Sequence, residues 1–259
     1  PVQIGALTAW SVVSAGAGGA YVSAAIKTDG TLWMWGQGDW PAVYLGDGTT
    51  VSKSSPVQTA TGGTNWKQIS VGFRIVGAIK TDGTLWMWGD DTYGQLGQGT
   101  VNITKSSPVQ VGALTTWAKV GTTNYSVHVI KTDGTLWSWG RNQYGQLART
   151  SGPSRIAPHT TSIKKPVALT AGNEFACAIT AAVTTWCWGR NRFGQLSNGS
   201  SFASSIPQKI LASTKVGSMT ALAAGESHAC AIANTSGAMR CWGLGLQGQL
   251  GDGGSGPSG

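Results

Sequence analysis

The chain has 259 residues, 41 % of them hydrophobic and only 11 % charged, with 39 glycines, 13 tryptophans and a formal net charge of +8. Such a composition excludes a disordered chain, which would be poor in aromatic and β-branched residues, and the length suffices to bury a sizeable core. No stretch approaches eighteen consecutive apolar residues, which excludes a helical membrane span; the start shows no signal-peptide pattern, and a first residue of Pro1 reads as a processed chain or a piece of a longer one.

From the N-terminus, PVQIGALTAW leads to IKTDGTLWMWG at residues 26–36; the same eleven residues return at 79–89, and IKTDGTLWSWG follows at 130–140. The Trp-Gly pairs Trp35-Gly36, Trp88-Gly89, Trp139-Gly140, Trp188-Gly189 and Trp242-Gly243 are spaced 53, 51, 49 and 54 residues apart. A period near fifty with strand-like content indicates a propeller or solenoid of sheet repeats. In the second unit, residues 64–72 alternate as a half-buried strand and 74–80 form a β-branched run. Asp82-Gly83 then signals a tight hairpin, and 84–89 return with Trp86 and Trp88 on one face. Pro108 opens a further short strand over 106–112, tolerable at an edge. Three to four strands per unit and no helical period describe four-stranded blades in a single domain. The repeats fall at approximately 1–55, 56–107, 108–165, 166–206 and 207–259.

The elements DGTLWxWG, then NxxGQLG, then a loop ending in Pro-Val occur together, as in KTDGTLWSWGRNQYGQL at residues 131–147. They resemble the RCC1-type repeat (regulator of chromosome condensation), and the resemblance covers essentially the whole chain. It implies an all-β, RCC1-like β-propeller, here with five four-stranded repeats where the best-known members have seven blades. Joined end to end, the two termini match the internal junction GDGTTVSKSSPVQ at residues 46–58, so the N-terminal segment reads as the missing last strand of the fifth unit. The ring is therefore expected to close by that strand pairing with the last blade. A fragment of a larger ring and a strand-exchanged polymer are the alternatives.

In the fourth and fifth units, Cys177/Cys187 and Cys230/Cys241 occupy the same two hairpin positions that earlier units fill with Ala24/Met34, Gly77/Met87 and His128/Ser138. Directly opposed residues in a non-hydrogen-bonded antiparallel pair bring Cα atoms to about 4.5 Å, at the short end of disulfide geometry. Two bridges are expected, Cys177–Cys187 and Cys230–Cys241, and with them an oxidising setting: secreted, cell-surface or virion.

Catalytic chemistry finds little support. No GxSxG, HExxH, Walker-type loop or dinucleotide fingerprint appears, the histidines His128, His159 and His228 read as structural, and Asp29, Asp82 and Asp133 are explained by their hairpin turns. No catalytic residue, cofactor or metal is assigned; two Gly-Asp-Gly triplets fall short of a calcium ligand set. Trp33, Trp86, Trp137 and Trp186 are expected to pack between blades. Trp40 and Tyr44, in a segment that departs from the repeat, are candidates for a platform that holds a sugar or a partner. Nine cations between Arg141 and Lys215, among them Arg190 and Arg192, are opposed only by Glu174 and form a candidate attractor for acidic glycans or cell-surface polymers.

These readings favour a non-enzymatic, extracellular or virion-surface structural or adhesive module that binds a protein partner or copies of itself. A secreted enzyme inhibitor or a glycan-binding lectin is the alternative. Nucleotide exchange on a small GTPase, implied by the family's namesake, ranks lower, and nucleic acid is not favoured as a partner.

Overall fold

The computed structural model describes the chain except residues 1–2, 5–7, 17–20, 40–44, 150–153, 211–218, 235, 255 and 257–259. Nineteen strands among the described residues form five antiparallel sheets, with no helix. The first contains β1 (Trp10–Ala15), β2 (Val22–Lys27), β3 (Leu32–Gly36) and β4 (Lys53–Gln58). The second contains β5 (Trp66–Val71), β6 (Ile75–Lys80), β7 (Leu85–Gly89) and β8 (Lys105–Gln110). The third contains β9 (Trp117–Thr122), β10 (Ser126–Lys131), β11 (Thr135–Gly140) and β12 (Arg155–Lys164). The fourth contains β13 (Pro166–Ala171), β14 (Phe175–Thr180), β15 (Thr185–Gly189) and β16 (Ser204–Lys209), and the fifth β17 (Met219–Ala224), β18 (His228–Ala233) and β19 (Met239–Gly243). Each sheet is one blade of a five-bladed β-propeller.

The copied segment is the central hairpin of each blade, as its sequence predicts. The repeat limits at 55/56, 107/108 and 206/207 fall inside β4, β8 and β16, because the proline-containing segment finishes the blade before it. Pro108 lies within β8 rather than at its start. The β7–β8 ladder shifts register between Met87 and Gly89, and an outer strand tolerates the missing N–H at such an irregularity.

Blades stack in chain order. The inner strands of each blade pack on the first strand of the next, and four apolar clusters fill the four joints. The recurring joint is an indole hydrogen bond. Trp139 Nε1 donates to the Gln95 carbonyl at 2.9 Å, Trp188 to Gln146 at 2.8 Å and Trp242 to Gln195 at 2.8 Å, each reaching into the preceding blade. The GQL loop is shaped to receive it: Gln95 Oε1 accepts the Tyr93 N–H at 2.7 Å and Asp91 Oδ1 the Leu96 N–H at 2.9 Å, fixing the turn. Gly97, at positive φ, lies so close that a Cβ would meet Trp139 Nε1 at 2.9 Å.

The other hairpin tryptophan meets the expectation of blade-to-blade packing in part: Trp86, Trp137 and Trp186 each pack against a joint cluster but stay half-buried at its edge. Trp86 is half-buried at the hairpin end, donates through Nε1 to Thr84 Oγ1 at 2.9 Å, and carries the Lys80 ammonium 4.3 Å from its ring centroid. Trp66 closes the other side of that ammonium at 4.7 Å. The third blade repeats the sandwich with Lys131 between Trp137 and Trp117, at 4.1 and 5.0 Å. Aromatic faces attract cations, so each lysine covers its own blade's indoles.

The ring closure expected of the N-terminal segment rests on residues 1–2 and 5–7, which lie outside the described residues. Among those described, the first and last blades each keep one face uncovered. Val13 is 77 % exposed and Trp35 only half-buried, whereas Trp88, Trp139 and Trp188 are fully enclosed; at the other end Met239 is 71 % exposed.

The paired hairpin positions carry Ala24/Met34, Gly77/Met87, His128/Ser138, Cys177/Cys187 and Cys230/Cys241 in one register. Both cysteine pairs are bridged, with Cα–Cα distances of 4.1 and 4.0 Å. His128 is fully buried, edge-on to Trp188 at 5.7 Å, with neither ring nitrogen hydrogen-bonded. Burial, reinforced by nearby His159, pushes its pKa down to about 3.

Two outcomes follow from this packing. Trp139→Ala is expected to cost about 3–5 kcal/mol in denaturant unfolding, and Trp35→Ala, at an open face, about 1 kcal/mol or less. An unfolded histidine takes up its proton near pH 6.5, which folded His128 refuses until about 3. Stability present above pH 6.5 should therefore fall progressively on acidification, and His128→Ala should flatten that slope in thermal melts across pH 4–7.

Candidate functional site

The loops joining the first and second strands of each blade, and those leaving the Trp-Gly pair, meet at one rim. The residue after Trp-Gly donates its N–H to the carbonyl of the residue just before the second strand: Asp90 to Arg74 at 2.8 Å, Arg141 to Tyr125 at 2.9 Å and Arg190 to Glu174 at 2.9 Å. This bond holds two side chains abreast in every blade, and their identities change around the arc. The second blade places Arg74 Nη1 3.6 Å from Asp90 Oδ2, and the fourth exchanges the signs, with Arg190 Nη1 3.1 Å from Glu174 Oε2. The third sets the Arg141 guanidinium 5.4 Å from the Tyr125 ring centroid.

Neighbouring blades are linked through the same groups. Arg141 Nη1 reaches Glu174 Oε1 at 2.9 Å, so one enclosed carboxylate, 8 % exposed, accepts from the arginines of two blades. Arg141 also lies over Tyr93 of the preceding loop at 5.1 Å, and Arg190 over Tyr144 at 5.2 Å. Tyr93 stands edge-on to Tyr125 at 5.3 Å, and Phe73 to Tyr125 at 6.4 Å. The result is a continuous ladder of arginine and aromatic side chains across the second to fourth blades. Glu174 holds it with φ at +79°, a conformation a non-glycine residue adopts only when its surroundings enforce it.

Of the residues singled out in the sequence, Arg141 and Arg190 meet on Glu174. Arg192 stands apart, over Phe193 at 5.6 Å. Trp40 and Tyr44 lie outside the described residues. Asp82 accepts the Thr84 N–H and hydroxyl at 2.9 and 2.7 Å; that hydroxyl bond, with smaller help from the backbone and Lys80, holds its carboxyl below the ordinary range. Asp29 and Asp133 repeat the arrangement. Asp47 is tied to Thr49 and Lys53, and no three His, Cys, Asp or Glu side chains converge on a metal position among the described residues. His228 takes the place of Phe175, its ring lying on Gly225 as Phe175 lies on Gly172. Tyr93, Tyr125, Tyr144 and Arg74 were not singled out by sequence. Alignment on Trp-Gly gave Arg141 and Arg190 a common column, but the convergence of the YGQL tyrosines on that column depends on how adjacent blades are rotated.

This is the rim of an RCC1-type propeller. The regulator of chromosome condensation (RCC1) repeat matches residues 82–125, 133–179 and 184–232, with a second form of the repeat matching 66–95 and 219–249, and the chain belongs to this family. It is 29 % identical over 192 residues to the human probable E3 ubiquitin-protein ligase HERC3, covering 72 % of this chain and 18 % of that protein. It is 30 % identical over 144 residues to the Arabidopsis thaliana ultraviolet-B receptor UVR8, covering 55 % and 32 %. The chain thus corresponds to less than a third of the length of these curated relatives. Among solved structures it superposes on Prp20p of Saccharomyces cerevisiae with a TM-score of 0.78 at 20 % identity, covering 92 % of this chain and 60 % of that one. Human WBSCR16 gives a TM-score of 0.77 at 22 % identity, covering 96 % and 65 %.

Glu174→Ala strands two guanidiniums and is expected to cost roughly 1–3 kcal/mol in unfolding experiments, while Arg192→Ala, outside the ladder, should change stability by about 0.5 kcal/mol or less.

Proposed function

We propose that this chain is a non-catalytic interaction module whose arginine and aromatic rim binds a protein partner in an oxidising setting, as a structural or adhesive element of a cell or virion surface. The observation that carries the reading is the ladder itself. Arginine and tyrosine are the side chains that dominate protein interfaces, because they present large contact area with directed hydrogen bonds, and here they are held rigidly in a row. Elsewhere Asp29, Asp82 and Asp133 are committed to turns, and His128 and His228 to packing. The two cysteine bridges support an extracellular location. The solved structure of Prp20p is described with its binding to Gsp1p and histones, which agrees with a protein partner for the propeller scaffold.

The test is binding measured with rim variants. Photocrosslinking from position 143, beside Arg141, should capture a surface protein, and the double variant Arg141→Ala/Arg190→Ala should weaken its binding about tenfold or more. A double variant that keeps full affinity would remove the rim from the interface. Alkylation of the natively produced protein, read by mass, should find no free thiol; four modified cysteines would rule out the oxidising compartment.

A further inference from the structure

The opposite end of the fourth blade departs from its neighbours. In the second and third blades the space over the hairpin indole is taken by the blade's own lysine, Lys80 or Lys131, and by a second indole, Trp66 or Trp117. In the fourth blade the corresponding residues are Thr180 and Pro166, and the turn aspartate is replaced by Ala182. Trp186, the counterpart of Trp86 and Trp137, is left half-buried at the wall of an open cleft of about 410 Å³. Ligand sites typically enclose about 300–1,000 Å³, so the missing lysyl chain and indole leave room for a small ring.

The chemistry of the walls selects the ring. Trp186 and Pro207 supply an apolar surface, and Ser162 presents a hydroxyl beside it, while the Thr180 and Thr184 hydroxyls on the same wall are held in the hairpin turn. Lys164 lines the cleft, and Lys209 is the direct register partner of Trp186 across the β15–β16 ladder, so it projects from the same side of the sheet. Two ammonium groups disfavour a further cation where the other blades seat one. A planar aromatic ligand would leave the Ser162 hydroxyl unused. A pyranose suits the walls: its C–H face carries the partial positive charge that an indole face attracts, its hydroxyls match the Ser162 hydroxyl, and a carboxylate on the ring answers the lysines.

We infer that the cleft at Trp186 binds a carboxylated sugar unit, a hexuronate or similar acidic pyranose of a glycan. The site lies at the hairpin end of the blade, away from the arginine rim, and does not depend on the rim's role. The Cys177–Cys187 bridge joins β14 to β15 immediately beside Trp186 and fixes the hairpin that carries it.

The fold itself offers the decisive variant. Thr180→Lys restores the residue that three other blades carry at this position and should fill the cleft; it gives up the Thr180 hydroxyl's bonds to the Thr184 backbone but keeps the N–H bond to the Thr184 carbonyl, which Lys80 makes to Thr84 in the second blade. Binding of a hexuronate tetrasaccharide, of the matching neutral hexose tetrasaccharide and of free indole is followed by titration calorimetry and by ligand-observed NMR. The wild-type chain should bind the uronate, with the neutral sugar weaker; Thr180→Lys and Trp186→Ala should each weaken uronate binding about tenfold or more, and Lys164→Gln should erase the preference for uronate. Wild-type binding of neither sugar, of indole alone, or of the neutral sugar in preference to the uronate would overturn the assignment. So would uronate binding undiminished in Thr180→Lys.

Discussion

The fold depends on one hydrogen bond repeated at three of the joints: an indole N–H donated to the backbone carbonyl of a glutamine in the preceding blade. A buried indole N–H without a partner is costly, and a sheet face without a neighbour leaves apolar surface in water. The bond answers both demands at once, since it forms only when the indole is seated in the joint. Around it the motif becomes intelligible residue by residue. The glutamine side chain and the buried Asp91 or Asn191, or the half-buried Asn142, shape the loop that offers the carbonyl, and a glycine or its equivalent at positive φ makes room for the ring. The hairpin is copied nearly letter for letter because each joint sets the same requirements on both sides.

That constraint explains what the sequence disclosed and what it withheld. Strand positions, hairpins, blade number and the two cysteine pairings follow from local periodicity and from aligning the Trp-Gly pairs, because residues opposed within a hairpin are fixed by chain connectivity alone. The division of labour between the two tryptophans was not visible. Trp86 and Trp88 share a sheet face, yet one is sealed in a joint and the other lies under a lysine, a difference set by height along the strand relative to the neighbouring blade. The rim was half legible. Arg141 and Arg190 stood out as charges, but Tyr93 and Tyr144 join them through the rotation between blades, which no short-range pattern encodes.

The blades acquire individuality where a joint accepts more than one filling and at positions outside the joints. The paired hairpin site holds alanine with methionine, glycine with methionine, histidine with serine, or a disulfide, all in one register. The rim pair holds Arg with Asp, Tyr with Arg, or Glu with Arg, conserving proximity while exchanging charge. At the hairpin end, the lysine that shields the indole in three blades gives way to threonine in the fourth. A repeat architecture separates what must be kept from what can be changed, and function accumulates in the second class.

The two bridges occupy one register but different surroundings. Cys177 and Cys187 are fully buried beneath the fifth blade, whereas Cys230 and Cys241 are half-buried among the described residues. A thiol arriving from solution therefore reaches the bridge of the fifth blade more readily than the enclosed bridge of the fourth.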